Sequence, residues 1–149
     1  MNGRLVIVAG LPGSGKTTYL EKIKSRKNTA VYDDYRGHLL GQPNVPQFNE
    51  YFVPVLSGLQ EGKEVWVCDI MFCISRYRNE FLMAIVQSFR DVQVDYVFFE
   101  NNPAVCKQRV KTRNRSAEVV DRELKLIDEI TEQYSVVGVN IVGVDDDRS

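Results

Sequence analysis

One glycine-rich segment near the start of the chain constrains the fold more than any other part of the sequence. Residues 10–17 read Gly-Leu-Pro-Gly-Ser-Gly-Lys-Thr and match the pattern GxxxxGK(S/T). A run at residues 4–9, apolar from Leu5 onward, precedes the segment, and helical spacing follows it from Thr17 to Lys27, so the segment connects a buried strand to a helix. In that context backbone N–H groups and a helix N-terminus can surround a phosphate group. The sequence therefore predicts a phosphate-binding P-loop.

Each part of this P-loop has an expected task. The glycines let backbone N–H groups converge on a β-phosphate, Lys16 brings positive charge to the β and γ oxygens, and the Thr17 hydroxyl is a Mg²⁺ ligand. We therefore expect ATP and Mg²⁺ as cofactors. The residues of this loop expected to contact the nucleotide are Gly10, Pro12, Gly13, Ser14, Gly15, Lys16, Thr17 and Thr18.

Strands and helices alternate along the rest of the chain. Apolar or alternating runs predict further strands at residues 29–32, 64–68, 92–99 and 139–144. Helical spacing predicts helices around residues 48–59, with a kink at Pro54, and at 75–90, from 103 onward and at 116–134. Since parallel strands need crossover connections, this alternation predicts a five-stranded, mostly parallel sheet between two layers of helices. We expect one three-layer α/β/α domain over residues 1–149, a length with no room for a second domain.

Charge and composition exclude several classes of protein. A formal net charge of −1 gives no overall attraction to nucleic acid, so any such contact needs a local basic patch. Three cysteines (Cys68, Cys73 and Cys106) and one histidine offer neither a disulfide framework nor a CxxC-type zinc site, and we expect the cysteines in the core. Apolar runs stay well below the ~20 residues of a membrane span. We expect a soluble cytoplasmic protein that does not enter membranes.

Carboxylates that follow predicted strands are the candidate catalytic acids and bases. In open α/β sheets, ligands bind beyond the carboxyl ends of the strands. Asp69 ends the run Val65–Cys68, where a carboxylate can hold Mg²⁺ or its water shell, although a turn residue would also fit. Asp33 and Asp34 follow the second strand. We expect Asp33 to accept the proton of an attacking hydroxyl group, with Asp34 pointing away.

Arginines form the third group of candidates. Arg109 and Arg113 are four residues apart on one predicted helix, so they share a face and can clamp phosphate oxygens. We expect them to stabilise a transferring phosphoryl group, and a solvated basic face is the alternative. Three further arginines could bind acceptor phosphates or a nucleic-acid backbone, or could be ordinary surface charges: Arg36, Arg76 and Arg78.

Taken together, these motifs resemble the phage-type 5′-hydroxyl polynucleotide kinase domain over nearly the whole chain. The resemblance rests on GLPGSGKTT at 10–18, DDYR at 33–36, a strand ending in Asp69 with arginines at 76 and 78 beyond it, and RVKTR at 109–113. It implies a P-loop NTPase fold of the nucleotide-kinase-like group with strand order 2-3-1-4-5. It also implies that Asp33 is the general base, that Arg36 touches the acceptor phosphate and that Arg113 stabilises the transferring group. The implied partner is a DNA or RNA 5′ end, and a phage-encoded protein acting in the host cytoplasm would fit.

The sequence leaves the identity of the phosphate acceptor open, because the chain departs from that family in two places. Residues 70–72 read Ile-Met-Phe, where the family usually has Thr-Asn after the aspartate, and the segment between Asp33 and Asp69 is shorter. A hydroxymethylated base in phage DNA, a nucleoside or another small molecule are therefore alternative acceptors. Two other classes of function are also compatible with the sequence. One is a nucleotide-dependent switch or ATPase without an acceptor, and the other is an inert nucleotide-binding module.

Overall fold

The fold is built on one parallel sheet. The computed structural model describes residues 3–33, 53–113, 115–136 and 141–144. Five strands lie in these residues: β1 (Arg4–Ala9), β2 (Thr29–Tyr32), β3 (Glu64–Cys68), β4 (Gln93–Phe99) and β5 (Ile141–Val142). Their order across the sheet is β2-β3-β1-β4-β5, and all four neighbouring pairs are parallel. The predicted order 2-3-1-4-5 and the three-layer α/β/α class are confirmed.

Helices connect the strands. The described helices are α1 (Lys16–Lys24), α2 (Val53–Gln60), a short 3₁₀ helix (Ile70–Cys73), α3 (Ser75–Ser88), α4 (Pro103–Thr112) and α5 (Ala117–Thr131). Side chains cap the first turns of the two helices α4 and α5, since Asn102 accepts a hydrogen bond from the Val105 N–H and Ser116 accepts one from the Val119 N–H. Most helices end one to three residues earlier than the periodicity predicts, because terminal turns lack intrahelical partners. The segment before Val53, where the helix around Pro54 is predicted to begin, lies outside the described residues.

The core surrounds the central strand β1. Residues 5–9 of this strand are at most 1% exposed, because β3 and β4 pair with both of its edges. Cys68, Cys73 and Cys106 are free thiols buried in this core, as predicted. Burial raises the pKa of Cys73 to about 12 and that of Cys106 to about 11, so both thiols stay protonated and unreactive at neutral pH. Among the helices that the structure describes, none is both long and apolar enough to cross a membrane.

An ion-pair network joins three strands at the amino-terminal edge of the sheet. Arg4 of β1 lies 2.9 Å from the Glu64 carboxylate of β3 and donates to Asp95 of β4 at 2.8 Å. Glu64 also accepts a hydrogen bond from the Trp66 indole at 2.7 Å and lies 3.6 Å from the Arg26 guanidinium. Burial alone would raise the pKa of Glu64, but its hydrogen bonds to Trp66 and Arg4 and the nearby positive charges together lower it. The charges at this edge therefore neutralise one another.

Candidate functional site

The P-loop lies between β1 and α1, and two of its glycines are required by close approach. Gly13 has φ +85°, and a Cβ added there would stand 2.6 Å from the Cys106 carbonyl oxygen of α4. At Gly10 an added Cβ would stand 2.6 Å from the Ser14 hydroxyl oxygen. Gly13 has no room for a side chain because backbone atoms stand in the way, and a side chain at Gly10 would force the Ser14 hydroxyl to turn away and would press on Phe99. The loop is consequently packed closely against α4, which holds its backbone in a fixed shape.

Two polar side chains of the P-loop suit a phosphate ligand. The Lys16 ammonium group donates a hydrogen bond to the Leu11 carbonyl at 3.2 Å, so it is folded over its own loop. The Ser14 hydroxyl oxygen is buried and has no hydrogen-bond partner among the described residues. A buried hydroxyl without a partner is costly unless a ligand completes its bonding. The loop therefore fits a polyanion such as the phosphates of ATP.

Asp33 reaches the P-loop through Thr17. It directly follows β2, and its carboxylate accepts a hydrogen bond from the Thr17 hydroxyl at 2.8 Å. A hydroxyl that donates its proton keeps its oxygen lone pairs for a cation. The pair thus suits a Mg²⁺ ion at Thr17, with a carboxylate held beside it. The structure brings together the residues predicted as general base and metal ligand.

Asp69 occupies the neighbouring position after β3. Because Val8 and Cys68 pair in register, Asp69 stands beside the last residue of β1, where the P-loop begins. Its side chain is 1% exposed, and one carboxylate oxygen accepts a hydrogen bond from the Met71 N–H at 2.8 Å, which starts the 3₁₀ helix. This contact gives Asp69 the turn role that was weighed for it. Its role as a Mg²⁺ ligand stays a prediction.

A cavity of about 330 Å³ opens above the P-loop. One wall is the loop and the start of α1, a second holds Asp33 and Ile70, and the third is formed by the end of α4 and one face of α5. The lining residues are Pro12, Gly13, Gly15, Lys16, Thr17, Thr18, Asp33, Ile70, Arg113, Arg115, Val119, Arg122, Glu123 and Leu126. The cavity thus brings a candidate base, the P-loop lysine and several guanidinium groups to one place.

Arg109 and Arg113 take different positions around this cavity. Arg109 donates a hydrogen bond to the Gly13 carbonyl at 3.2 Å and so fastens α4 to the P-loop. Arg113 follows the last residue of α4 and lines the cavity itself. The geometry therefore favours Arg113 as the arginine that reaches a transferring phosphoryl group, and Arg109 as a residue that holds the loop.

Of the three predicted acceptor-binding arginines, the two that the structure describes, Arg76 and Arg78, do not line the cavity. Arg78 is 6% exposed, donates to the Phe72 carbonyl at 2.5 Å and lies over the Phe98 ring, so the expected acceptor contact is replaced by a structural role. Arg76 is exposed and stacks on Tyr77, outside the lining of the cavity. Arg36 lies outside the described residues. The acceptor roles of Arg36 and Arg76 stay predictions.

The structure adds residues that the sequence did not single out. Arg115, Arg122 and Glu123 line the cavity from the α5 side. The Tyr134 hydroxyl, just beyond α5, is within hydrogen-bonding distance of the carbonyls of Ala9 and Phe99, at the carboxyl ends of β1 and β4. Burial raises the pKa of Tyr134, so it remains a neutral donor. It links the end of α5 to the strand that leads into the P-loop.

Comparison with known protein families and sequences gives two matches. A family model described as an AAA domain (AAA_33) matches residues 5–136. The chain is also 27% identical over 137 residues to the uncharacterized protein R277 of Acanthamoeba polyphaga mimivirus, covering 91% of this chain and 89% of that protein. The family match includes the P-loop, Asp33, Asp69 and the cavity wall formed by α5.

Solved structures share the fold at low sequence identity. A gluconokinase from Sinorhizobium meliloti 1021 has a TM-score of 0.60 and 17% identity, and the match covers 99% of this chain and 85% of the gluconokinase chain. A fungal RNA kinase has a TM-score of 0.63 and 11% identity, with coverages of 99% and 78%. A chain of the Pnkp1/Rnl/Hen1 RNA repair complex has a TM-score of 0.52 and 14% identity, with coverages of 90% and 47%. These likenesses show a P-loop kinase-like fold.

Proposed function

This chain belongs to the AAA domain family AAA_33, and on that premise we propose that it is an ATP-dependent phosphotransferase with a hydroxyl group as acceptor. One observation carries the proposal: the 2.8 Å hydrogen bond between Thr17 and Asp33 holds a carboxylate against the P-loop. A carboxylate there can accept the proton of a hydroxyl group that attacks the γ-phosphate in line. A simple nucleotide switch needs no base at this position.

The remaining residues of the cavity have roles in positioning and charge. Lys16 and Arg113 stabilise the negative charge that spreads over the oxygens of the transferring group. Arg109 and Gly13 hold the loop in place through their hydrogen bond. Mg²⁺ held through Thr17 and Asp69 would supply further charge neutralisation when bound. Asp33 stays next to Thr17 and takes up the acceptor proton.

The acceptor we propose is the 5′-hydroxyl end of a polynucleotide. The motif DDYR at residues 33–36 supports it, and so does the likeness of fold to a fungal RNA kinase. In that assignment Arg36 and Arg76 contact phosphates of the acceptor strand. Ile70 lines the cavity beside Asp33 and makes this part of the wall apolar. A smaller, less polar acceptor is therefore the competing outcome of the test.

The test is transfer of labelled γ-phosphate from ATP to a panel of hydroxyl compounds. The panel contains 5′-hydroxyl DNA and RNA oligonucleotides, hydroxymethylated DNA, nucleosides and gluconate. We expect labelled oligonucleotide 5′ ends, and we expect Asp33→Asn to slow transfer by roughly 10²–10⁴-fold, as loss of a general base does. Asp91→Asn is the matched control, because this exposed carboxylate lies in the turn before β4, outside the cavity lining.

The outcomes separate the competing functions. Labelling of only a base hydroxymethyl group, a nucleoside or gluconate would replace the polynucleotide acceptor and keep the phosphotransferase. Hydrolysis of ATP without labelling of any compound would favour an ATPase or switch. An Asp33→Asn variant that transfers phosphate as fast as the Asp91→Asn variant would show that Asp33 is not the base.

A further inference from the structure

The face of α5 that lines the cavity carries its own charged residues. Val119, Arg122, Glu123 and Leu126 are three or four residues apart, which places them on one side of the helix. Val119 and Leu126 are the apolar ends of this face, with the charged pair between them. Since Lys16 and Thr17 line the same cavity, α5 stands opposite the P-loop.

The two arginines on this side of the cavity differ in their partners. Arg115 forms an ion pair with Glu123, whose side chain is only 14% exposed, so its charge is already neutralised. Arg122 makes neither an ion pair nor a hydrogen bond within the described ranges 3–33, 53–113, 115–136 and 141–144. Arg122 is exposed to solvent, so its guanidinium group is hydrated and open to a ligand that enters the cavity.

The charges that line the cavity therefore sum to a positive excess. Lys16, Arg113 and Arg122 are positive, Asp33 is negative, and the pair of Arg115 with Glu123 cancels. An excess of about two positive charges matches a triphosphate whose Mg²⁺ leaves it about two negative charges. A planar guanidinium can donate two hydrogen bonds to phosphate oxygens at once.

We propose that Arg122 is a nucleotide-binding residue that contacts the triphosphate from the α5 side of the cavity. It would be a further phosphate-binding cation, outside both the P-loop and the RVKTR motif. The inference rests on one part of the proposed function, which is that the ligand of the cavity is a nucleoside triphosphate. It implies that affinity depends on the number of phosphates, because adenosine offers this guanidinium nothing to bind.

The test measures binding of ATP, ADP and adenosine by calorimetry, with Mg²⁺ and without any acceptor. Arg122→Gln should weaken ATP binding about tenfold, ADP binding less, and adenosine binding within twofold. Arg122→Lys keeps the charge and should recover part of the loss. Lys125→Gln is the matched control, since it removes one positive charge from the exposed side of the same helix and should bind ATP as the wild type does.

A second control removes the neutral pair. Arg115→Gln combined with Glu123→Gln leaves the net charge of the cavity unchanged and should alter ATP affinity by less than Arg122→Gln does. Thermal unfolding of every variant separates a folding defect from a lost contact.

Equal ATP affinity in Arg122→Gln and Lys125→Gln would overturn the inference, and so would equal losses for ATP and adenosine. Failure of the proposed function would look different: ATP binds and depends on Arg122, but no acceptor is labelled.

Discussion

The amino-terminal and the carboxyl-terminal ends of the strands form two opposite edges of the parallel sheet. The polar side chains at these two edges are arranged differently. At the amino-terminal edge, Arg4 of β1 is paired with Glu64 of β3 and Asp95 of β4. At the carboxyl edge, the Ser14 hydroxyl is buried without a partner among the described residues, and Lys16 donates a hydrogen bond to the Leu11 carbonyl of its own loop. The first edge pairs its charged groups with one another, whereas the second holds a buried hydroxyl and a lysine that a ligand can bind.

Folding stability and ligand binding therefore depend on different edges of this sheet. Paired and partly exposed charges at the amino-terminal edge contribute modestly to folding and need no ligand. At the carboxyl edge the buried Ser14 hydroxyl, which has no partner among the described residues, costs folding free energy until a ligand completes its bonding. Substitutions at the two edges should therefore act on different measurements.

The largest expected effect is that of Gly13→Ala at the carboxyl edge. Its Cβ would stand 2.6 Å from the Cys106 carbonyl oxygen, and φ +85° strains any residue other than glycine. We expect the free energy of unfolding to fall by about 1–3 kcal/mol, and ATP binding to weaken at least tenfold because the loop must move away from α4.

Gly143→Ala is the matched control for this prediction. A Cβ added there meets no described atom within 4 Å, so its free energy of unfolding should stay within about 0.5 kcal/mol of the wild type. Chemical denaturation and calorimetry measure both quantities. Similar behaviour of the two alanine variants would contradict the close packing of the P-loop on α4.

Ser14→Ala should change stability and binding in opposite directions. The substitution removes a buried hydroxyl without a described partner, so the free energy of unfolding should stay equal or rise by up to about 1 kcal/mol. ATP affinity should fall about fivefold, as the loss of one hydrogen bond predicts. A clear loss of stability in the protein without nucleotide would instead reveal an internal partner for this hydroxyl.

The smallest effect belongs to Glu64→Gln at the amino-terminal edge. Because the folded-state pKa of Glu64 is lowered, its ionised form stabilises the fold above the unfolded pKa, and this contribution is lost as the pH falls through the folded value. At pH 7 the variant should be less stable by about 1 kcal/mol or less, and the difference should shrink as the pH falls below the unfolded pKa of 4.5. Urea unfolding over a series of decreasing pH values tests this, and a difference that does not shrink in acid would exclude the ion pair as its source.

The sequence alone predicts those features of the fold and the site that depend on residues close together in the chain. The P-loop, the strands at 4–9, 29–32 and 64–68 and the carboxylate at Asp33 are all predicted from short stretches, because apolar runs and glycine spacing report directly on local structure. The strand order came from the resemblance to a known family, since periodicity does not determine which strands are neighbours.

The remaining features depend on packing between distant segments. The sequence predicts that Arg78 binds acceptor phosphates or is an ordinary surface charge, yet it shares the buried face of α3 with Phe81 and Ile85, and that spacing is a signal for its burial. Arg122 and Glu123 belong to the polar face of α5, and nothing in the sequence distinguishes a polar face that meets solvent from one that covers a cavity. Only the fold brings that face to the P-loop.

The most direct test of this account removes one positive charge from each edge and measures ATP binding by calorimetry. Lys16→Gln should weaken binding at least tenfold with little change in the free energy of unfolding. Arg4→Gln should bind ATP as the wild type does and lose up to about 1 kcal/mol of stability, because only its ion pairs are removed. Equal losses of ATP affinity in the two variants would contradict the assignment of phosphate binding to the carboxyl edge of the sheet.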